Sequence, residues 1–107
     1  MYQFKNKIQL IGTINIITVK VNENDFKQAV FILSTTDQFW TETGLKSSGN
    51  MNHLCKANSK LADIVERYIS QGAEIAVEGS LIQPQETDPL GAIPYIQVSD
   101  LLILNKR

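Results

Sequence analysis

The chain is poor in the features that most quickly classify a protein. It has one cysteine, Cys55, so no internal disulfide can form, and a reducing compartment is the simplest setting. No apolar run approaches the roughly 20 residues needed to span a bilayer, and the opening MYQFKNKIQL lacks the apolar segment of a secretory signal. A cytoplasmic protein with no membrane partner is expected. It also lacks a charge excess, with 10 basic and 11 acidic residues and a net charge of −1. That balance argues against a strongly basic nucleic-acid binder. His53 is the single histidine, and no second histidine, cysteine pair or carboxylate cluster stands at ligand spacing. Neither a metal nor another cofactor is expected. Gly44 and Gly49 do not make a phosphate-binding glycine motif. Glu86 and Asp88, on a proline-rich loop, read as solvated charges, and no nucleophile with a base and an orienting partner can be assembled. The chain is not expected to be an enzyme.

What is present is one domain's worth of patterned sequence, 107 residues read as a single domain over 1–107. The clearest stretch is Ser59 to Leu81. Leu61, Ile64, Val65, Tyr68 and Ile69 recur at helical spacing and predict one apolar stripe. Asn58 or Ser59 is expected to cap the helix, with Asp63 in the first turn and Gly72 ending it. The period then changes to 2, with Ile75 and Val77 on one face and Glu74, Ala76 and Glu78 on the other.

Lys7 to Val21 reads as a long strand in which Ile8, Leu10, Ile14 and Ile16 share a face and Gly12 marks a bend. Asn22 to Asp25 is a turn, and Phe26 to Ser34 a second strand. Thr35 to Asn50 is polar and reads as a loop. Met51 to Ala57 is a third strand, and the fourth follows the helix to about Ile82. Gln83 to Pro94 holds all three prolines and reads as a loop, before a fifth strand from Tyr95 to Leu104. An all-β chain with one helix between strands 3 and 4 matches the OB-fold, a five-stranded, partly open Greek-key barrel. That fold binds through the face of strands 2 and 3 and the neighbouring loops. The helix is expected to plug the bottom of the barrel. An unrelated α+β sandwich is the alternative.

Three segments carry a resemblance. Lys7-Ile8-Gln9-Leu10-Ile11-Gly12 is similar to the opening strand of the bacterial and mitochondrial single-stranded DNA-binding proteins. Leu33 to Phe39 is similar to the end of their second strand, where a Ser-Thr stretch leads to an aromatic. Lys60-Leu61-Ala62, Tyr68, Gly72 and Glu78-Gly79 resemble their helix and fourth strand. The resemblance covers nearly the whole chain. It implies sequence-tolerant single-stranded DNA binding in replication, recombination or repair, by base stacking and phosphate neutralisation. It also implies a homo-oligomer, a tetramer in preference to a dimer. The alternative is an OB-fold protein-interaction or primosome-type accessory module with weak DNA binding.

Carried over by position, Phe39 matches a stacking residue, with Trp40 beside it, and Lys60 matches a lysine near the DNA path. His53 matches a histidine near a subunit interface. Asn52, Asn58 and Glu86 stand where further aromatics are usual, and Ser70-Gln71 replace a basic pair. The acidic tail through which the family recruits partners has no counterpart before Arg107. Phe39 and Trp40 form a stacking platform, or one of them folds back on the core; two adjacent aromatics in a strand cannot both point inward. Lys5, Lys7, Lys20, Lys46, Lys56 and Lys60 form a phosphate track or are scattered solvated cations. The expected nucleic-acid-binding set is Phe39, Trp40, Lys60, Lys7, Lys56 and Lys46.

Overall fold

The computed structural model describes residues 6–83 and 93–105, without the side chains of residues 37–39, 47 and 48. The first strand, β1 (Ile8–Val21), serves two neighbours. Its first half, Ile8 to Thr13, pairs antiparallel with β4 (Glu74–Ile82), and from Thr13 onward it pairs with β2 (Lys27–Thr41). A strand shared in this way curls the sheet, and the order β1-β2-β3-β5-β4 closes into a barrel. β3 spans Gly44–Asn58 and β5 spans Tyr95–Asn105. The β3–β5 seam is a short parallel one, Cys55 opposite Ile96 and Lys56 opposite Gln97. One helix, α1 (Lys60–Tyr68), lies between β3 and β4. The architecture is the expected OB-fold, with the barrel closed rather than partly open.

Closure needs backbones to approach closely, and two glycines permit it. A β-carbon on Gly12 would collide with the Ser34 carbonyl oxygen, and one on Gly79 with that of Gln97. The break in β1's alternation lies further on, at Ile16. The register with β2 slips between Asn15 and Thr18, and Ile16 takes a φ of 48°. The extra residue of this bulge turns Ile16 outward, 65% exposed, and brings Ile17 and Val19 against the core. The expected inward face of β1 therefore holds for Ile8, Leu10 and Ile14 and fails for Ile16.

The core is apolar: Ile14, Phe31, Leu33, Cys55, Val65 and Ile75 are fully buried. Burial pushes the Cys55 thiol up to about 12. The helix closes one end through buried Ala62 and Val65, and Lys27 ties it to β2 with ion pairs of 2.6 Å to Asp63 and 2.8 Å to Glu66. Its ends differ from expectation. Ser59 precedes it at φ 55° with no side-chain cap bond, and the Asn58 side chain accepts from Gln28 at 3.1 Å. The helix stops at Tyr68, because Ile69 is extended and drops into the core. Gly72 has a positive φ, but in the turn that follows. Tyr68 is exposed, and the small Ala62 takes the place against the barrel.

The largest departure is the segment 35–50. It is no loop: β2 and β3 run on together past the barrel as a two-stranded ribbon, joined by Glu42 and Thr43. Gly44 takes φ 120° beside the turn, and the Thr41 hydroxyl donates to the Gly44 carbonyl at 3.1 Å. A ribbon in solvent has no buried face, so polar residues on both sides do not exclude it. Lys5, Tyr2, Phe4, Glu86, Asp88 and most of the Gln83–Pro94 segment lie outside the described residues.

Candidate nucleic-acid interface

The outer face of β1, β2 and β3 forms one continuous wall. Strand alternation puts Gln28, Val30, Ile32, Ser34 and Thr36 outward on β2, because Ala29, Phe31 and Leu33 are buried. Their register partners on β3 are Asn58, Lys56, Leu54, Asn52 and Asn50, and β1 adds Thr13, Asn15, Thr18 and Lys20. None of these outward positions is acidic.

Hydrogen bonds run across the wall. Asn15 Nδ2 donates to Ser34 Oγ at 3.0 Å, and Ser34 Oγ donates to Asn52 Oδ1 at 2.7 Å. Thr36 Oγ1 donates to Asn50 Oδ1 at 2.7 Å. Such cross-strand pairs stabilise a sheet by a few tenths to about 1 kcal/mol each. Beyond Thr36 the register slips, so that Trp40 stands opposite Leu45 and Phe39 opposite Lys46. Trp40 is 79% exposed with Leu45 exposed across from it, an apolar pair near the end of the ribbon.

The expected site residues divide. Trp40 and Lys46 are on the ribbon; Phe39 is there by its backbone, while its side chain lies outside those described. Lys56 is on the wall with its Nζ 4.1 Å from the centre of the Tyr95 ring, a cation–π contact. Lys60 is exposed at the first turn of the helix, near the end of β3. Lys20 joins them, opposite Gln28 in the row that also holds Asn58. Lys7 does not, for it pairs with Glu78 at 3.0 Å on the other side of the barrel. His53, expected near a subunit interface, has its ring Nε2 2.9 Å from Thr35 Oγ1. Sequence reasoning missed Asn15, Ser34 and Asn50, which look like ordinary polar strand residues until the strands are paired.

With this geometry in view, the model of the single-strand binding protein family matches residues 5–99. The chain belongs to that family. A single-stranded DNA-binding protein of Bacteroides thetaiotaomicron is 32% identical over an alignment of 94 residues, and the match covers 85% of this chain and 58% of that protein. The chain thus spans little more than half of that relative's length. Among solved structures, the Plasmodium falciparum SSB complex with ssDNA aligns at a TM-score of 0.83 and 26% identity, over 98% of this chain and 99% of that one. Two more distant likenesses show the shared fold. They are a Thermus aquaticus single-stranded DNA-binding protein (TM-score 0.79, 20% identity, 96% and 52% covered) and the protein priB of Ralstonia solanacearum (0.71, 17%, 94% and 100%).

The opposite wall of this family member, made by β1, β4 and β5, has another chemistry. One row is Ile11, Ala76 and Leu102; the next is Gln9, Glu78 and Asp100. Ile11 is 68% and Leu102 63% exposed, beside a shallow hollow of about 350 Å³. The Gln9 amide, and after it the Lys7 ammonium, hold the Glu78 carboxyl below its ordinary range. Among the described residues there is no cluster of three or more metal-ligating side chains, and no helix is long and apolar enough to cross a membrane.

Proposed function

We propose that the chain binds single-stranded DNA along the outer wall of β1, β2 and β3. In this reading unpaired bases stack on Trp40, with Phe39 beside it in the chain. Lys20, Lys46, Lys56 and Lys60 neutralise phosphates. The observation that carries it is a wall with no acidic residue among its described outward barrel positions, leading to an exposed tryptophan, on a chain whose net charge is −1. Overall charge is a poor guide here, because the local field along the wall acts on the strand. The Plasmodium relative, a complex with ssDNA, supports the same reading.

Stacking and phosphate contacts do not read base identity, so binding is broadly sequence-tolerant. The role is non-enzymatic, in replication, recombination or repair in the cytoplasm. The described residues form one barrel, read as a single domain. The exposed Ile11–Ala76–Leu102 row supports self-association, with a tetramer favoured over a dimer. Asn52 and Asn58, where flat rings are usual in the family, favour a second reading, an accessory module that binds DNA weakly.

Titration with fluorescent oligo(dT) tests the proposal. Four lysine–phosphate contacts give a log–log salt slope of roughly −3, and the emission of Trp40 falls as a base stacks on it. A flat titration with unchanged emission would overturn it and leave the accessory reading.

A further inference from the structure

We propose that self-association through the β1–β4–β5 wall is opposed by the wall's own carboxylates, so that acid and salt both strengthen it. The inference rests on the self-association reading above and adds its regulation; the DNA reading is not involved. The apolar row Ile11–Ala76–Leu102 lies between two polar rows, Gln9–Glu78–Asp100 on one side and Thr13–Glu74–Asn105 on the other. Among the described residues the charged side chains of this wall are Lys7, Glu74, Glu78 and Asp100, one ammonium against three carboxylates. Ile11 and Leu102 stand exposed among them, on a surface too acidic for a nucleic acid. In a homo-oligomer a second copy covers them.

The middle strand of the wall is β4, with β1 and β5 as its neighbours. Glu74 and Glu78 stand about 7 Å to either side of Ala76 along it. A contact between two like surfaces is two-fold and self-complementary. With the apolar rows stacked, its axis runs past Ala76 in the plane of contact. An axis along the strands sets Glu78 over Glu78 of the second copy. An axis along the row sets Glu78 over Glu74 of the second copy. An axis midway between them crosses the strands at right angles, as some packed sheets do, and lays the glutamates over the aliphatic row. The first two arrangements set like charge against like charge, and the third takes carboxylates out of water. All three favour the protonated form.

In the separate chain Glu78 accepts from Gln9 Nε2 at 3.1 Å and pairs with Lys7 Nζ at 3.0 Å, which keeps it ionised at neutral pH. Lys7 answers one of the three carboxylates. Because contact favours the protonated glutamates, association takes up protons, and the equilibrium moves toward the assembly as pH falls toward the carboxylate range. Salt acts in the same direction, by screening the repulsion between carboxylates. On the other wall salt weakens the hold on phosphates. The two walls therefore answer salt with opposite sign.

Sedimentation equilibrium of the full chain without DNA tests this at about pH 7.5 and about pH 5, and in about 0.05 M and about 0.5 M sodium chloride. Self-association is expected to tighten about tenfold on acidification and about threefold with salt. Glu74→Gln with Glu78→Gln is expected to associate at about pH 7.5 as tightly as the parent does at about pH 5, with both responses flattened. The net charge passes through zero near pH 5.7, where general repulsion between copies vanishes. Ile11→Ser with Leu102→Ser keeps every charge and is the control; it is expected to stay monomeric throughout. Association that ignores pH and salt, or that the paired glutamine variant leaves unchanged, overturns the regulation and leaves self-association standing. Acid-driven association of the serine variant overturns it as well. A parent chain that is monomeric under every condition overturns the self-association reading itself.

Discussion

The two outer walls of this barrel share strand β1 yet carry opposite chemistry. The β1–β2–β3 wall is amide-rich, with Lys20 and Lys56 and, among the described residues, no carboxylate at the outward barrel positions from Gln28 to Thr36 and their partners. The β1–β4–β5 wall has Glu74, Glu78 and Asp100 around an exposed aliphatic row. Within one closed sheet, the register determines which residues stand together. The proposed reading puts the polyanion on the first wall and an apolar partner on the second. Segregation of this kind is what the proposed DNA binding by a chain with a net charge of −1 rests on.

The sharpest way to break the comparison is to charge the apolar row. In the proposed self-association, Ile11→Glu with Leu102→Glu removes two aliphatic contacts worth about 1.5–3 kcal/mol each per copy. Light scattering is expected to show dissociation to a monomer, with oligo(dT) still bound. Persistence of the same oligomer would count against that wall as the contact. Next in size is Gly12→Val, at the hand-over between the walls, where Thr13 pairs with both Ser34 and Glu74. A β-carbon there meets the Ser34 backbone, so a loss of about 3 kcal/mol is expected, read as a lower urea midpoint.

Trp40→Ala should weaken single-strand binding by about 1–3 kcal/mol with an unchanged thermal midpoint, because the side chain supports nothing in the barrel. Smaller again is the contrast between two lysines. Lys56→Gln lowers the magnitude of the salt slope by about 0.7, one phosphate contact, whereas Lys7→Gln on the other wall leaves it unchanged.

The smallest effect concerns the helix that both walls rest on. Hydrogen bonding to Lys27 holds the Asp63 carboxyl below its ordinary value. A lowered folded-state value gives stability that is present above the ordinary carboxylate range, near pH 4, and is lost as pH falls through the folded value. The same bonds raise Lys27, whose contribution is present below its unfolded value and lost as pH rises through the folded one. Acid unfolding of Lys27→Met is therefore expected to show a shallower fall in stability below pH ~4 than the parent.

Much of the frame could be read from residue order. Ile75 and Val77 alternate with Glu74 and Glu78 because one face of β4 meets the core, and that alternation is a local signal. The ribbon could not be read this way, because β2 and β3 past Thr36 are held by backbone pairing and side-chain bonds rather than burial. Thr35, Thr36, Thr41 and Thr43, all β-branched, were the available hint. Ile16 was misplaced because one bulge residue reverses the parity of everything after it. Tyr68 fits the apolar stripe by spacing, but the chain leaves the helix there to bury Ile69.

By itself, then, the sequence determined the elements, their order and the composition of the core, since those follow from periods of 2 and 3.6 along the chain. The tertiary structure decided which polar residues meet. Asn15, Ser34 and Asn52 are far apart in the chain and become one hydrogen-bonded row through strand pairing. Lys7 and Lys56 look alike as letters, yet closure of the barrel sends them to opposite walls. The physical reason is that a strand fixes only the face its side chains take, whereas the neighbours on that face come from register and closure.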